Sequence, residues 1–355
     1  MLTGIEALLR GHWYDAVAAL LDTQVREADG NGGASAHLRR ARDTAVAAKR
    51  VLDLDAEDFG PLARGFAEAS WANALGQACF PLEPKGPVRG ALASLDGLYG
   101  LMLEVLDLRA RRHEPLQVVV TAHLIGEYLP QLAWESTLGH GGDPIRLGEY
   151  VGERWGSDDP DCPHNSAQRA TAKRALNACG GDVAGYTAYL DRFHSRQGSA
   201  LAVCAMNHST IAAGARPDVG ETCPNPCGWA LRGTLAERLD LDARVRLALL
   251  YADSAVVALR HHAPVGHFFG VPSVTEISEA WLRTWQRVSQ PWPDGANPLN
   301  RDRLPGAPDP DEALPGMSAL VSAVAGRTIG PGTLIRDMGA DVAGALGIAL
   351  AGPRR

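Results

Sequence analysis

The chain has 355 residues, a formal net charge of −7, 46% hydrophobic residues and 21% charged residues. This much apolar sequence is enough for a sizeable core, so the composition predicts a folded and not a disordered chain. The acidic balance argues against extensive contact with nucleic-acid phosphates. Nucleic acid is therefore an unlikely partner for the chain as a whole.

The N-terminal stretch does not resemble an export signal. It carries Glu6, Arg10 and Asp15, which interrupt any apolar core. No run approaches the roughly 18 apolar residues that a membrane span needs. We therefore predict a cytoplasmic protein that does not cross a membrane, and cysteines that are thiols or metal ligands rather than a disulfide framework.

Apolar residues recur at spacings of three and four in the first third, which predicts helices over 3–22, 34–54 and 90–112. The segment Gln117 to Trp134 is predicted to be a buried helix, although Val118 to Val120 would also suit a strand.

The middle of the chain is also predicted to be helical. A helix over 165–179 should end at Gly180, and Asp182 is placed to cap the next one. Residues 199–213 form an almost wholly apolar helix. Thr234 and Glu237 make a capping box that opens a helical region extending to His261.

These patterns predict an all-α fold, a multi-helix bundle with a Pro-rich loop before a C-terminal helical segment. We place a helical core domain at 1–288, a Pro-rich linker or wrapping loop at 289–316, and at 317–355 a helical tail that packs on the core. The tail is predicted to be a helix pair broken at 330–332.

The predicted helix near 39–50 is locally basic, with Arg39, Arg40, Arg42, Lys49 and Arg50. A solvated helix face explains most such runs. The alternative is a contact with tRNA or with a phosphate-bearing carrier.

Common catalytic signatures are absent: the sequence has no Walker A, dinucleotide, nucleophile-elbow, HExxH or CxxC motif. Titratable residues set in apolar sequence remain, and an unpaired one would be costly to bury.

His123 and Glu127 have the i, i+4 spacing that puts an imidazole and a carboxylate on one helical face. They are candidate ligands of one metal ion, or a structural hydrogen-bonded pair, with Glu135 and His140 close behind.

The densest histidine group is RHHAPVGHFFGVP, with His261, His262 and His267. These imidazoles are candidate metal ligands, or one is a general base that another orients. A Pro-Gly turn predicts that His262 and His267 face one pocket. A structural helix end is the simpler interpretation.

Three further sets are weaker. Asp191 and His194 have the i, i+3 spacing of di-iron bundles, and Glu149 and Glu153 would add oxygen ligands. The segment DRFHSRQ is also typical of an exposed helix end.

Cys204 and His208 share a face of an apolar helix beside Asn207, either as packed core groups or as a pocket wall. A structural zinc site would use Cys162, His164, Cys223 and Cys227, although three residues separate the last two cysteines where two are usual.

The leading hypothesis is a metal-dependent enzyme of bacterial specialised metabolism, an oxidase or oxygenase with non-haem iron or zinc, acting on a small molecule. Iron, manganese or zinc would be held by ligands from His123, Glu127, His261, His262 and His267, with His262, His267 and Glu127 catalytic. One alternative is a metal-free acyl or aminoacyl transferase with His262 or His267 as general base. Another is a helical interaction or regulatory protein. The oligomeric state is left open.

Overall fold

The structure is a computed structural model, and it describes residues 2–30, 33–151, 166–213, 234–263, 266, 270–301, 309, 311–348 and 350. Over these residues the regular structure is helical and no strand occurs, which confirms the predicted all-α fold. Among the described helices, none is long and apolar enough to cross a membrane.

The described residues of the first half form eight α-helices. In chain order they are α1 Leu2–Arg10, α2 Tyr14–Gly30, α3 Ala36–Leu52, α4 Phe59–Gly65, α5 Ala72–Ala78, α6 Asp96–Arg111, α7 Pro115–Leu138 and α8 Pro144–Val151. A short 3₁₀ turn, Gly90–Leu92, precedes α6.

The second half continues the same pattern. Its helices are α9 Ser166–Cys179, α10 Val183–Arg192, α11 His194–Ala213, α12 Leu235–Ala252, α13 Ala255–His262, α14 Val274–Val288, α15 Met317–Ala325 and α16 Leu334–Ala345. A 3₁₀ turn at Pro298–Asn300 lies between α14 and α15.

One predicted helix and one predicted helical region are each divided into two helices. The helix predicted over 3–22 breaks after Arg10, because Gly11 leaves the helix and His12 adopts a left-handed backbone with φ of 55°. The region predicted to run to His261 breaks at Asp253 and Ser254, and Ser254 is the N-cap of α13. The single helix predicted over 3–22 was therefore wrong, whereas the helical region predicted from Thr234 to His261 is confirmed with one short break. Periodicity does not register breaks of one or two residues.

Other local predictions are confirmed. The valines of the ambiguous segment lie inside α7, so it is a helix and not a strand. Asp182 caps α10 by accepting a hydrogen bond from the backbone N–H of Ala184. Thr234 and Glu237 form the capping box of α12.

Helix α7 lies at the centre of the larger core and packs against α6, α11, α12, α13 and α15. The hydroxyl groups of Tyr99 and Tyr251 donate 2.8 Å hydrogen bonds to the carbonyls of Ile125 and Ala122 in α7. Gly126 lets α12 approach, since a Cβ there would lie 3.2 Å from the Tyr251 ring. Close approach of α12 at this glycine helps to shape the cleft described below.

A second apolar cluster joins the two ends of the chain. Helix α16 packs on α3, and buried Tyr14 donates a 2.8 Å hydrogen bond to the carbonyl of Ile335. Buried Glu104 accepts hydrogen bonds from the backbone N–H groups of Ile335 and Arg336, at 3.2 and 3.1 Å. These contacts satisfy the first turn of α16 and fix the C-terminal helix to α2 and α6.

Parts of the Pro-rich segment are described, and they lie against the helices. Buried Asn297 donates from its amide to the carbonyls of Val288 and Gln290. The indole of Trp281 donates to the carbonyl of Pro315 at 3.1 Å. These contacts hold the segment against α14 at both ends.

Candidate functional site

His123 and Glu127 share one face of α7, as their spacing predicts. The His123 Nε2 atom lies 3.0 Å from Glu127 Oε1. The imidazole is 12% exposed and the carboxylate 38%, so solvent or a ligand reaches both. They belong to the wall of a hollow of about 190 Å³, which we call the α7 cleft.

The α7 cleft lies between α7, α11, α12 and α13. Its polar lining is His123, Glu127, Ser195, Arg196 and Ser199, and its apolar lining includes Leu249, Ala252 and Val257. The cleft therefore combines an imidazole, a carboxylate, a guanidinium and two hydroxyl groups over an apolar floor.

Pro130 adds a backbone acceptor at the same place. It lies inside α7 and has no N–H, so the carbonyl of Gly126 loses its helical partner. Both Gly126 and Pro130 line the α7 cleft.

Arg260 of α13 makes the second contact of the imidazole. Its Nη1 lies 2.7 Å from His123 Nε2, the same nitrogen that faces Glu127. A guanidinium only donates and a carboxylate only accepts, so one nitrogen cannot satisfy both partners at once. The other ring nitrogen, Nδ1, is buried without a hydrogen-bond partner. The His123 hydrogen bonds are therefore frustrated in this structure.

Glu127 is held in its charged form. The hydrogen bond from His123 lowers the pKa of Glu127, burial opposes this effect, and the charges of Arg260 and Arg196 lower it further. The site thus contains one carboxylate and two guanidinium groups around the imidazole, which leaves an excess of positive charge.

The predicted histidine group is divided by the limits of the described chain. His261 and His262 end α13 and are exposed, directly after Arg260. His267 lies outside the described residues, so the predicted pairing of His262 with His267 stays a prediction. Neither Arg260 nor Arg196 was predicted from the sequence, although Arg260 directly precedes the candidate ligands His261 and His262.

Within the part of the chain that the structure describes, no three His, Cys, Asp or Glu side chains are grouped to hold a metal ion. The predicted zinc ligands Cys162, His164, Cys223 and Cys227 lie outside it, as do Glu153 and the side chains of Glu149, Cys204, Asn207 and His208. The metal predictions stay predictions.

Behind the α7 cleft lies a second polar group, which we call the buried polar cluster: Gln131, His140, Tyr189, His194 and Gln197 around the turn 141–143. Gln131 Nε2 donates to the carbonyl of Gly141 at 2.7 Å and lies 2.8 Å from His194 Nε2. Tyr189 donates to the carbonyl of Gly142 at 2.9 Å and contacts Gln197. All five side chains are fully buried.

The two histidines of this cluster are neutral. Burial lowers the pKa of His194 and that of His140 to about 4 each. His140 Nδ1 accepts hydrogen bonds from the backbone N–H groups of Gly142 and Asp143, at 3.2 and 2.9 Å. The rings of Phe80, Tyr128 and Tyr189 surround His194 at centroid distances of 5.1 to 5.6 Å.

Asp191 and His194 do not form the predicted ligand pair. Helix α10 ends at Arg192 and α11 begins at His194, so the i, i+3 face is interrupted. Asp191 is exposed, whereas His194 is fully buried. Burial raises the pKa of Glu57, and the neighbouring Asp191 carboxyl group raises it further. The expectation that DRFHSRQ is an exposed helix end was wrong for His194.

Glu135 has a structural role in the described contacts. Its carboxylate accepts from the Ser94 hydroxyl at 2.7 Å, from the Leu95 N–H at 2.8 Å and from Arg327 at 2.7 Å. It therefore holds the start of α6 and the loop after α15 against α7, away from the α7 cleft.

The basic helix α3 is neutralised by acidic neighbours. Arg39 pairs with Asp29, Arg40 with Asp341, Arg42 with Asp43 and Asp22, Lys49 with Asp53, and Arg50 with Asp55 and Asp58. This pattern favours the solvated-face interpretation. A tRNA or carrier contact stays a prediction, and it would have to compete with these ion pairs.

Comparison with protein-family models, curated proteins and solved structures finds no match for this chain.

Proposed function

We propose that the protein is a metal-independent enzyme that acts on a small carboxylic acid or its acyl derivative, with His123 as the general base. The transferase alternative gave the role of general base to His262 or His267, and the proposal gives it to His123 instead. The supporting observation is the position of His123 Nε2, between Glu127 at 3.0 Å and Arg260 at 2.7 Å on the wall of the α7 cleft.

The frustrated contacts suggest how an anion would bind. Arg260 has no lone pair to offer, so in the free protein its donor competes with any proton on His123 Nε2. A ligand carboxylate that accepts from Arg260 and Arg196 would remove this competition. With its ring proton on the buried Nδ1, His123 would then present the lone pair of Nε2, released by Arg260, to the cleft beside Glu127.

The resulting arrangement suits acyl chemistry. The imidazole would take the proton of an attacking hydroxyl group, from water or from a serine of the cleft, and Glu127 would stabilise the imidazolium that forms. As the tetrahedral intermediate collapses, the imidazolium would return that proton to the leaving group. Glu127 holds a negative charge for this purpose because its pKa is lowered.

Arg260 also bears on the leading metal hypothesis. A guanidinium 2.7 Å from Nε2 lies where a metal ion would approach that nitrogen, and its charge repels a cation. The predicted oxidase or oxygenase would therefore need Arg260 to move and His261, His262 or His267 to complete the ligand set.

Two measurements test the proposal. We expect hydrolysis of p-nitrophenyl acetate to be at least tenfold faster with the protein than with its His123→Asn variant, in the presence of a chelator. We expect acetate binding, measured by calorimetry, to weaken about tenfold in Arg260→Gln, since a charged hydrogen bond is lost. Arg283→Gln is the matched control, because Arg283 is exposed on α14.

Equal rates for the protein and for His123→Asn would overturn the proposal. Turnover that appears only when iron, manganese or zinc is added would restore the metal-dependent hypothesis. Absence of both turnover and acetate binding would move the interaction or regulatory alternative to the front.

A further inference from the structure

A second hollow adjoins the α7 cleft across one residue of α12. It has a volume of about 430 Å³, and its apolar lining is Leu249, Leu250, Trp292 and Pro293. Leu249 also lines the α7 cleft. The side chain of Leu249 is therefore the shared wall of both hollows.

The geometry of α12 explains this neighbourhood. Successive residues are rotated by about 100° around a helix, so 246, 250 and 253 lie on one side of position 249 and 252 lies on the other. Residues 246, 250 and 253 line the second hollow, and 252 lines the α7 cleft. The two hollows open on adjacent faces of one helix, and Leu249 is half-buried between them.

The charges of the two hollows differ in sign. The α7 cleft holds Arg196, with Arg260 against its histidine. The second hollow has Asp253 and Asp294 on its rim, and its cation, Arg246, is engaged at 3.0 Å by Asp294 and at 4.4 Å by the Trp292 ring. An anionic group is attracted to the α7 cleft and repelled from the second hollow, whereas an apolar group gains contact area in the second hollow.

We infer that the two hollows form one divided binding site for a carboxylic acid with an apolar arm. The carboxylate end lies in the α7 cleft, the arm crosses Leu249, and its far end contacts Leu250, Trp292 and Pro293. The inference rests on the proposed function for the acid end and adds the chemical class of the rest of the substrate.

Calorimetry with acetate, octanoate and octanol tests the inference on the unaltered protein. Each methylene group that enters an apolar hollow should tighten binding about fourfold. We expect octanoate to bind at least about a hundredfold more tightly than acetate, which requires three to four methylene groups inside. Octanol, which lacks the charge, should bind at least about tenfold more weakly than octanoate.

A bromine-labelled acid locates the arm. Bromine quenches the fluorescence of nearby indoles, so 8-bromooctanoate should quench the fluorescence of Trp292. The variant Trp292→Phe should lose this contribution to the quenching. 2-Bromobutanoate, whose bromine stays near the carboxylate, should leave the Trp292 contribution unchanged.

A pair of matched variants tests the second hollow directly. Leu250→Asp should abolish the preference for octanoate over acetate, while Leu282→Asp, at an exposed position of α14, should retain it. Melting curves followed by circular dichroism check that both variants fold. The bromoacid measurement does not depend on Leu250→Asp, so it decides the question if that variant is unfolded.

The outcomes separate the two claims. If acetate and octanoate bind equally and acetate binding depends on Arg260, the proposed function stands and the divided site is wrong. If octanol binds as well as octanoate, the acid end is wrong. If 8-bromooctanoate binds without quenching Trp292, the arm lies elsewhere and the inference is overturned.

Discussion

The α7 cleft and the buried polar cluster are built on the same two helices, yet they use histidine in opposite ways. His123 on α7 is reached from outside and lies between charged partners, at 2.7 and 3.0 Å. His194 on α11 is fully buried among aromatic rings and beside the Gln131 amide. The proposed function therefore assigns chemistry to the cleft, and the burial of the cluster predicts that it contributes stability.

Truncation of each histidine should give the largest difference in stability between the two sites. We expect His194→Ala to lower the free energy of unfolding by about 4 kcal/mol, because it leaves a cavity and removes the partner of Gln131. His123→Ala should lower it by about 1 kcal/mol, because its hydrogen bonds conflict and its partners are partly hydrated. Urea denaturation at neutral pH measures both.

Equal losses of unfolding free energy in His194→Ala and His123→Ala would contradict the different roles of the two histidines. A large loss for His123→Ala would make the His123–Glu127 pair a structural element, which is the simpler interpretation that its spacing leaves open.

The turn of the buried polar cluster gives the next largest expected effect. Gly142 has φ of 86°, and a Cβ there would overlap Nε2 of Gln131. Gly142→Ala should cost about 3 kcal/mol, from backbone strain and from displacement of the buried amide. Gly139 has φ of 71°, but its nearest neighbour would be an Arg146 nitrogen at 3.8 Å, so Gly139→Ala should cost about 1 kcal/mol.

These two glycine variants share a left-handed backbone and differ in what surrounds them. Equal destabilisation, measured by thermal unfolding, would mean that the backbone conformation alone sets the cost and that the packing of Gln131 contributes nothing.

The smallest expected effect is the pH dependence of the cluster. Burial lowers the pKa of His194 from 6.5 to about 4, so between these values the unfolded chain binds more protons than the folded protein. Stability should therefore fall as the pH drops from about 6.5 towards 4, with a loss of about 2 kcal/mol from this residue by pH 5. Denaturation curves between pH 7 and 5 measure the slope.

His194→Phe supplies the control for this effect, since it keeps an apolar ring and removes the titrating group. The stability of this variant should decline less steeply with acid, by about 1.2 kcal/mol per pH unit between pH 5 and 6. Parallel curves for the two proteins would show that His194 does not stay neutral in the folded state.

Local patterns in the sequence predict the helical class and several helix starts and ends. Periodic apolar spacing and caps act within one or two turns, so Asp182, Thr234 and the placement of His123 and Glu127 on one face followed from local rules. The breaks at His12 and at Asp253 were missed, because a short interruption barely alters the hydrophobic period.

Which distant groups meet depends on the long-range packing of the helices. It brings Arg260 from α13 to His123 on α7, and it closes Gln131 and the turn after His140 around His194. These contacts span 53 to 137 residues, and no spacing rule encodes them. The same imidazole group stays neutral where it is enclosed at His194 and faces charged partners at His123. This difference arises because the folded surroundings, and not the residue type, set how strongly a side chain is desolvated.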